Sequence, residues 1–166
     1  MKNNPRVKKL TTTALMAAVI FVVTYLVRIP MPIASGGYLN IGDAPIYVAA
    51  ALLGGPAGMV AAAIGAALAD LSAGYVLYML PTAIIKGLMG FVCGKLMKEG
   101  SFKRFLIASI IGGAIMTFGY AAFETALFNF NQALAALPFN AVQWVAGVVV
   151  AIAFYPAVPR IKRSLS

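Results

Sequence analysis

The chain has 166 residues, of which 62% are hydrophobic and 10% charged, with a mean hydropathy of +0.93 and a net charge of +9. A soluble domain of this length has too little interior to hide that much apolar surface, so the solvent is lipid. There is no histidine and one cysteine, Cys93, which excludes a disulfide framework, a zinc site and histidine-based catalysis.

The elements in chain order read as an all-α membrane protein, a bundle of six transmembrane helices in one domain spanning residues 1–166. Helix 1 is expected at residues 10–27, retained rather than cleaved as a signal peptide, because the run is long and ends in Arg28 and Pro30. Residues 28–41 form a loop broken by Pro30, Pro32, Gly36 and Gly37. Helix 2 follows at 42–53, with Asp43 placed to cap its start. The turn Gly54-Gly55-Pro56 leads to helix 3 at 57–71, and a second loop at 72–81 to helix 4 at 82–97. A polar turn at 98–101 precedes helix 5 at 102–128. A loop at 129–137 precedes helix 6 at 138–157. Helices 2 and 3 fall short of the roughly 20 residues of a full crossing. Cys93 lies inside an apolar run and reads as a small packing residue.

The basic residues fix a sidedness. With the N-terminus inside, Lys2, Arg6, Lys8 and Lys9, then Lys95, Lys98, Lys103 and Arg104, then Arg160, Lys162 and Arg163 all fall on the inner side. Only Arg28 and Lys86 fall elsewhere. Both termini are then cytoplasmic. Basic residues confined to segment ends set orientation and give no reason to invoke nucleic acid.

In that frame the intramembrane polar residues gather toward the outer face: Asp43, Asp70, Lys86, Glu124, Asn140, Gln143 and Trp144, with Tyr38, Asn40, Tyr75, Tyr78, Asn129, Asn131 and Gln132 in the outer loops. The inner halves are almost purely apolar. A channel needs polar groups along its length, so the pattern describes a pocket open outward and closed below. Each residue also has a plainer reading. Asp70 and Lys86 suit a structural ion pair, Asp43 a helix cap, and the tyrosines and Trp144 an interfacial belt. Glu124 is harder to dismiss, since a lone carboxylate on an apolar helix needs a partner. Helix 1 also carries Ala14 and Ala18, small residues four apart that permit close helix approach.

Several segments in this order resemble a known family. They are a basic N-terminus before Ala14-x-x-x-Ala18, then Gly37-Tyr38-Leu39-Asn40-Ile41-Gly42-Asp43, then Leu53-Gly54-Gly55-Pro56-Ala57-Gly58. Gly65-x4-Asp70-x3-Gly74-Tyr75 and Ile85-Lys86-Gly87-Leu88-Met89-Gly90 follow. The chain resembles the substrate-binding S components of energy-coupling factor (ECF) vitamin transporters, in the riboflavin-transporter-like branch, over residues 9–95. The C-terminal half is similar only in hydropathy and length.

The resemblance implies six helices with an outer pocket capped by the loops after helices 1 and 3. It implies a prokaryotic cytoplasmic membrane, a membrane scaffold subunit and two cytoplasmic ATPases that drive toppling of the S component. It places Ala14 and Ala18 against the scaffold. The chain has no Gly-rich phosphate loop, so ATP hydrolysis is expected of the partners and no cofactor of this chain itself. Tyr38, Asn40, Asp43, Asp70, Tyr75, Tyr78, Lys86, Glu124, Asn129, Asn140, Gln143 and Trp144 are the candidate substrate-binding residues, with Arg28 a further possibility. With Asp70 paired to Lys86, the remainder suits a neutral or weakly cationic aromatic ring of the riboflavin, pyridoxine or hydroxymethylpyrimidine type. A stand-alone secondary transporter and a non-transport membrane scaffold are the competing readings; an enzyme is not expected.

Overall fold

A computed structural model of the chain describes residues 4–33, 36–97 and 100–165. Lys2 and Lys98 of the basic clusters lie outside these residues. Among the described residues there are seven helices and one two-stranded hairpin. They are α1 (Pro5–Leu26), β1 (Arg28–Pro30), β2 (Tyr38–Asn40), α2 (Asp43–Leu53), α3 (Gly55–Ser72), α4 (Val76–Leu96), α5 (Phe102–Leu127), α6 (Phe130–Phe154) and α7 (Ala157–Leu165). Helices α1, α3, α4, α5 and α6 are long and apolar enough to cross a membrane. The remaining expected segment, α2, has 11 residues. At a rise of ~1.5 Å per residue it reaches about half of a ~30 Å hydrocarbon core.

Three expectations need correction. The first outer loop is not wholly irregular: β1 and β2 pair antiparallel, with Arg28 opposite Asn40 and Pro30 opposite Tyr38. The second loop shrinks to Ala73–Tyr75, because α4 begins at Val76 and runs through Pro81. The third nearly disappears, because α6 begins at Phe130 and runs through Pro138. The cause is common to the last two. Backbone polar groups in lipid must bond within their own segment, and that demand outweighs the single hydrogen bond each proline removes. Asn129 caps α6, its side chain accepting from the Gln132 amide at 3.0 Å.

Helix α2 is short because it sits inside the bundle. It touches α1, α3, α4, α5, α6 and α7. Asp43, Ala44, Ile46, Tyr47, Ala49, Ala50 and Ala51 are all buried on it. Gly54, at φ 77°, turns the chain out of α2 and directly into α3. Helix α3 lies along α1 and α4, and α5 along α4 and α6. Cys93 is buried where α4 meets α5, its thiol donating to the Ala108 carbonyl at 3.1 Å. The short α7 places Arg160, Lys162 and Arg163 on an exposed surface. Near it, the Lys8 ammonium donates to the Ser164 carbonyl at 3.4 Å.

The α3–α4 contact depends on missing side chains. A Cβ on Gly90 would stand 2.5 Å from the Gly58 carbonyl oxygen and 3.0 Å from the Ala62 Cβ. Nothing there is the flexible end of a side chain. Gly90→Leu should therefore destabilise the protein by at least about 1–3 kcal/mol. A melting curve in detergent checks this, and an unchanged midpoint would show that α3 and α4 separate at little cost.

Candidate functional site

One end of the bundle gathers polar residues in helical rows. On α4, Tyr78, Thr82 and Lys86 follow at intervals of four and so share a face. On α3 the same spacing aligns Ala66 and Asp70, and on α5 Tyr120 and Glu124. Asn140 and Gln143 do the same on α6 at a spacing of three, and Thr24 comes from the last turns of α1. With Met31, Gly37, Tyr38 and Asn40 of the hairpin region and Tyr75, these residues line one cavity. The basic ends of α1, α4 and α5, and the basic helix α7, are at the other end. There the Tyr155 hydroxyl joins the end of α6 to the Gly100 carbonyl at 3.0 Å.

The floor is a charged network. Asp43, Lys86 and Gln143 are buried, Asp43 with 0% of its surface exposed. The Lys86 ammonium pairs with Asp43 Oδ1. Asp43 Oδ2 accepts from Gln143 Nε2 at 3.2 Å. Gln143 Oε1 in turn accepts from the backbone and side-chain amides of Asn40, at 3.0 and 3.2 Å. Close approach of α6 is required here, since a Cβ on Gly147 would stand 2.9 Å from the Asp43 Cβ.

This corrects the expected ion pair: Lys86 pairs with Asp43, not Asp70. It also removes the capping role of Asp43. That residue is the first of α2, its side chain turns inward, and the start of the helix has no side-chain cap. Counting along the helices places Asp70 and Lys86 on one side of the membrane but cannot see that the first residue of α2 reaches Lys86.

The walls are phenolic. The Tyr38 hydroxyl donates to Asp70 Oδ1 at 2.6 Å and the Tyr78 hydroxyl to Glu124 Oε1 at 3.3 Å. The Thr82 and Tyr120 hydroxyls are 2.8 Å apart. Ring centroids of Tyr38 and Tyr75 lie 4.9 Å apart, those of Tyr75 and Tyr78 6.5 Å, and those of Tyr78 and Tyr120 6.4 Å. Burial, and next the Asp70 carboxylate, push the Tyr38 phenol well above the usual tyrosine range. It stays a donor and ties the hairpin to α3.

Four buried polar atoms of the lining take no hydrogen bond among the described residues: Asp70 Oδ2, Glu124 Oε2, Asn140 Nδ2 and Thr24 Oγ1. Native proteins leave very few such groups unpaired. The cavity they border measures about 40 Å³, room for about three waters at ~10–15 Å³ each. A heteroaromatic ring enters only if the tyrosine walls and the hairpin move apart.

Of the expected site residues, Tyr38, Asn40, Asp70, Tyr75, Tyr78, Lys86, Glu124, Asn140 and Gln143 line this cavity, and Asp43 lies beneath it. Two do not. Asn129 is an exposed helix cap. Trp144, four residues after Asn140 on α6, packs against Gly113 of α5 and is not part of the lining. Arg28 is not part of the lining but lies beside it, its guanidinium 4.3 Å from the centre of the Tyr25 ring and 5.8 Å from that of Tyr38. Thr24, Thr82 and Tyr120 were not expected. The spacing of four to Lys86 and to Glu124 was the available signal for the last two.

Removing Lys86 leaves Asp43 buried without its cation. Lys86→Ala should cost about 3–5 kcal/mol. Replacing Lys86 and Asp43 together by Met and Leu should recover much of that loss. Thermal unfolding of the two variants is the check, and equal damage in both would mean that the pair is not the unit.

Comparison with known proteins agrees with the geometry. The family model of the ECF-type riboflavin transporter S component matches residues 4–160. A Lactococcus lactis subsp. cremoris (strain MG1363) protein named thiamine precursor transporter HmpT is 31% identical over 160 residues, 96% of this chain and 93% of its own length. An uncharacterized Pyrococcus woesei protein is 39% identical over 130 residues, 78% of this chain and 86% of its own. Among solved structures, the S component for biotin from an ECF-type ABC transporter superposes with a TM-score of 0.75 at 24% identity, covering 98% of this chain and 95% of that one. A second S component of a bacterial ECF transporter gives 0.74 at 20%, covering 94% and 98%. These two speak for the fold alone. Fold, family match and the relative from Lactococcus converge, and the chain belongs to the ECF-type riboflavin transporter S component family.

Proposed function

We propose that this chain is the substrate-binding subunit of an ECF-type ABC importer in the prokaryotic cytoplasmic membrane, specific for a water-soluble vitamin precursor with a single aromatic heterocycle. The observation that carries the reading is the cavity bordered by four tyrosines, in which four buried polar atoms await partners. Aromatic rings stack on tyrosine, and the unpaired carboxylate and amide groups fix orientation. The relative named as a thiamine precursor transporter favours one ring over the three of riboflavin, and hydroxymethylpyrimidine, the pyrimidine portion of thiamine, suits it. Pyridoxine is the next candidate.

In this reading α1 to α6 are the six membrane segments, α2 entering only partway, and both termini are cytoplasmic. The basic ends of the helices lie inside and the cavity opens outward, under the hairpin as a lid. A scaffold subunit and two ATPases supply the coupling. Ala14 and Ala18 are both exposed on α1, flanked by exposed Leu10, Leu15, Val19 and Val22, and serve as the docking stripe for the scaffold.

Mass spectrometry of the small molecule that co-purifies with the protein tests the ligand. A vitamin-sized heterocycle is expected; a lipid, or nothing at any protein load, would contradict the reading. Glu124→Gln should weaken binding roughly ten- to a hundred-fold, since a hydrogen bond to a buried charged group contributes about 1.5–3 kcal/mol. Isothermal titration measures this, and unchanged affinity would remove Glu124 from the site. Ala14→Trp combined with Ala18→Trp should abolish co-purification with the scaffold and ATPases while ligand binding persists. Normal assembly of that double variant would move the docking surface elsewhere.

A further inference from the structure

The charges around the cavity do not balance. Among the described residues, three carboxylates, Asp43, Asp70 and Glu124, line or underlie it, against the single ammonium of Lys86. Lys86 is engaged by Asp43. The second oxygen of Asp43 is held by Gln143. Asp70 accepts from the Tyr38 hydroxyl on one oxygen, with the Thr82 hydroxyl also beside it, and Glu124 accepts from the Tyr78 hydroxyl on one oxygen. Among the described residues, Asp70 Oδ2 and Glu124 Oε2 are buried without a close hydrogen-bond partner. The Arg28 guanidinium does not compensate them by contact: it lies over the Tyr25 ring, and its Nε donates to the Tyr25 carbonyl.

We infer that the site selects an unphosphorylated heteroaromatic rich in N–H and O–H donors and rejects its phosphate ester. The inference rests on the substrate-binding role proposed above. An exocyclic amine, a protonated ring nitrogen or a hydroxyl satisfies Asp70 Oδ2 and Glu124 Oε2. Asn140 Nδ2 donates to a ring nitrogen or hydroxyl oxygen. A phosphate monoester meets the opposite environment. It brings nearly two negative charges into a poorly hydrated space that already holds two carboxylates. Of the two cations near it among the described residues, Lys86 is held by Asp43 and the Arg28 guanidinium lies between the Tyr25 and Tyr38 rings, 5.8 Å from the centre of the latter, so the like charges repel with no free cation in contact to offset them. The cation that a phosphate would need is present in the fold but is held by Asp43, so discrimination depends on that pairing.

The test measures affinity by isothermal titration for three pairs: hydroxymethylpyrimidine, pyridoxine and riboflavin, each against its own phosphate monoester. The ester of whichever compound binds should be weaker by about a hundredfold or more. Equal affinities would overturn the inference. Asp43→Asn releases the Lys86 ammonium toward the cavity and should narrow the gap by about tenfold or more, chiefly by improving the ester. Should that variant fail to fold, Glu124→Gln serves, since it removes one of the two repelling charges and should narrow the gap likewise. An unchanged gap in the folded variant would show that charge does not set the selection. Pyridoxine binding better than its ester while the pyrimidine fails would correct the ligand proposed above and uphold this inference. If none of the three unphosphorylated compounds binds, both readings fall.

Discussion

The rest of the site depends on one ion pair. Asp43 and Lys86 come from different helices and meet where both are withdrawn from water and from lipid. Either charge alone in this environment is expensive, and the pair is tolerable only because Gln143 satisfies the remaining oxygen. That requirement fixes the depth of α2 against α4. It brings α6 close, through Gly147, and positions Gln143 to hold Asn40 at the base of the hairpin. The hairpin is thereby bonded to the floor. At its other edge Tyr38 is bonded to Asp70, so two hydrogen-bonded contacts from different helices hold the hairpin over the cavity.

The pair also divides the polar residues into two groups. Asp43, Lys86 and Gln143 satisfy one another. Asp70, Glu124, Asn140 and Thr24 are each left with an atom unmet. The first group holds the architecture and the second lines the cavity. This separation explains how a membrane protein accommodates so many polar groups at one end. The stable ones neutralise the floor, and the tyrosine rings shield the reactive ones behind apolar surface while each phenol supplies a donor.

Much of this was legible in the sequence. Hydropathy and the basic clusters gave the membrane class, and the polar residues of the later helices pointed to one end of the bundle because helical counting is reliable along each segment. The pairing of Lys86 was not legible. Asp70 precedes Lys86 by one loop and looked like the natural partner, whereas Asp43 reaches it only because the short helix that it begins lies at the centre of the bundle. Prolines misled in the same way: Pro81 and Pro138 suggested loops, but the surrounding apolar residues continue as helix because lipid offers the backbone no other partner. Counting places Trp144 near Asn140 on α6 but could not show that its ring packs against Gly113 of the neighbouring helix.

The burial of so short a helix has a consequence for how the chain enters the bilayer. Helix α2 is 11 residues long, about half a crossing, and begins with an aspartate, a group that is costly in lipid without a partner. Such a segment is a poor candidate for independent insertion. Gly54 joins it to α3 with no intervening loop, so the two must enter as a helical hairpin carried by the apolar length of α3. Asp43 then remains uncompensated until α4 has been synthesised and delivers Lys86. During biogenesis the nascent chain passes through an interval in which its central helix is only provisionally placed. The arrival of one lysine, more than forty residues later, commits the bundle to its final packing.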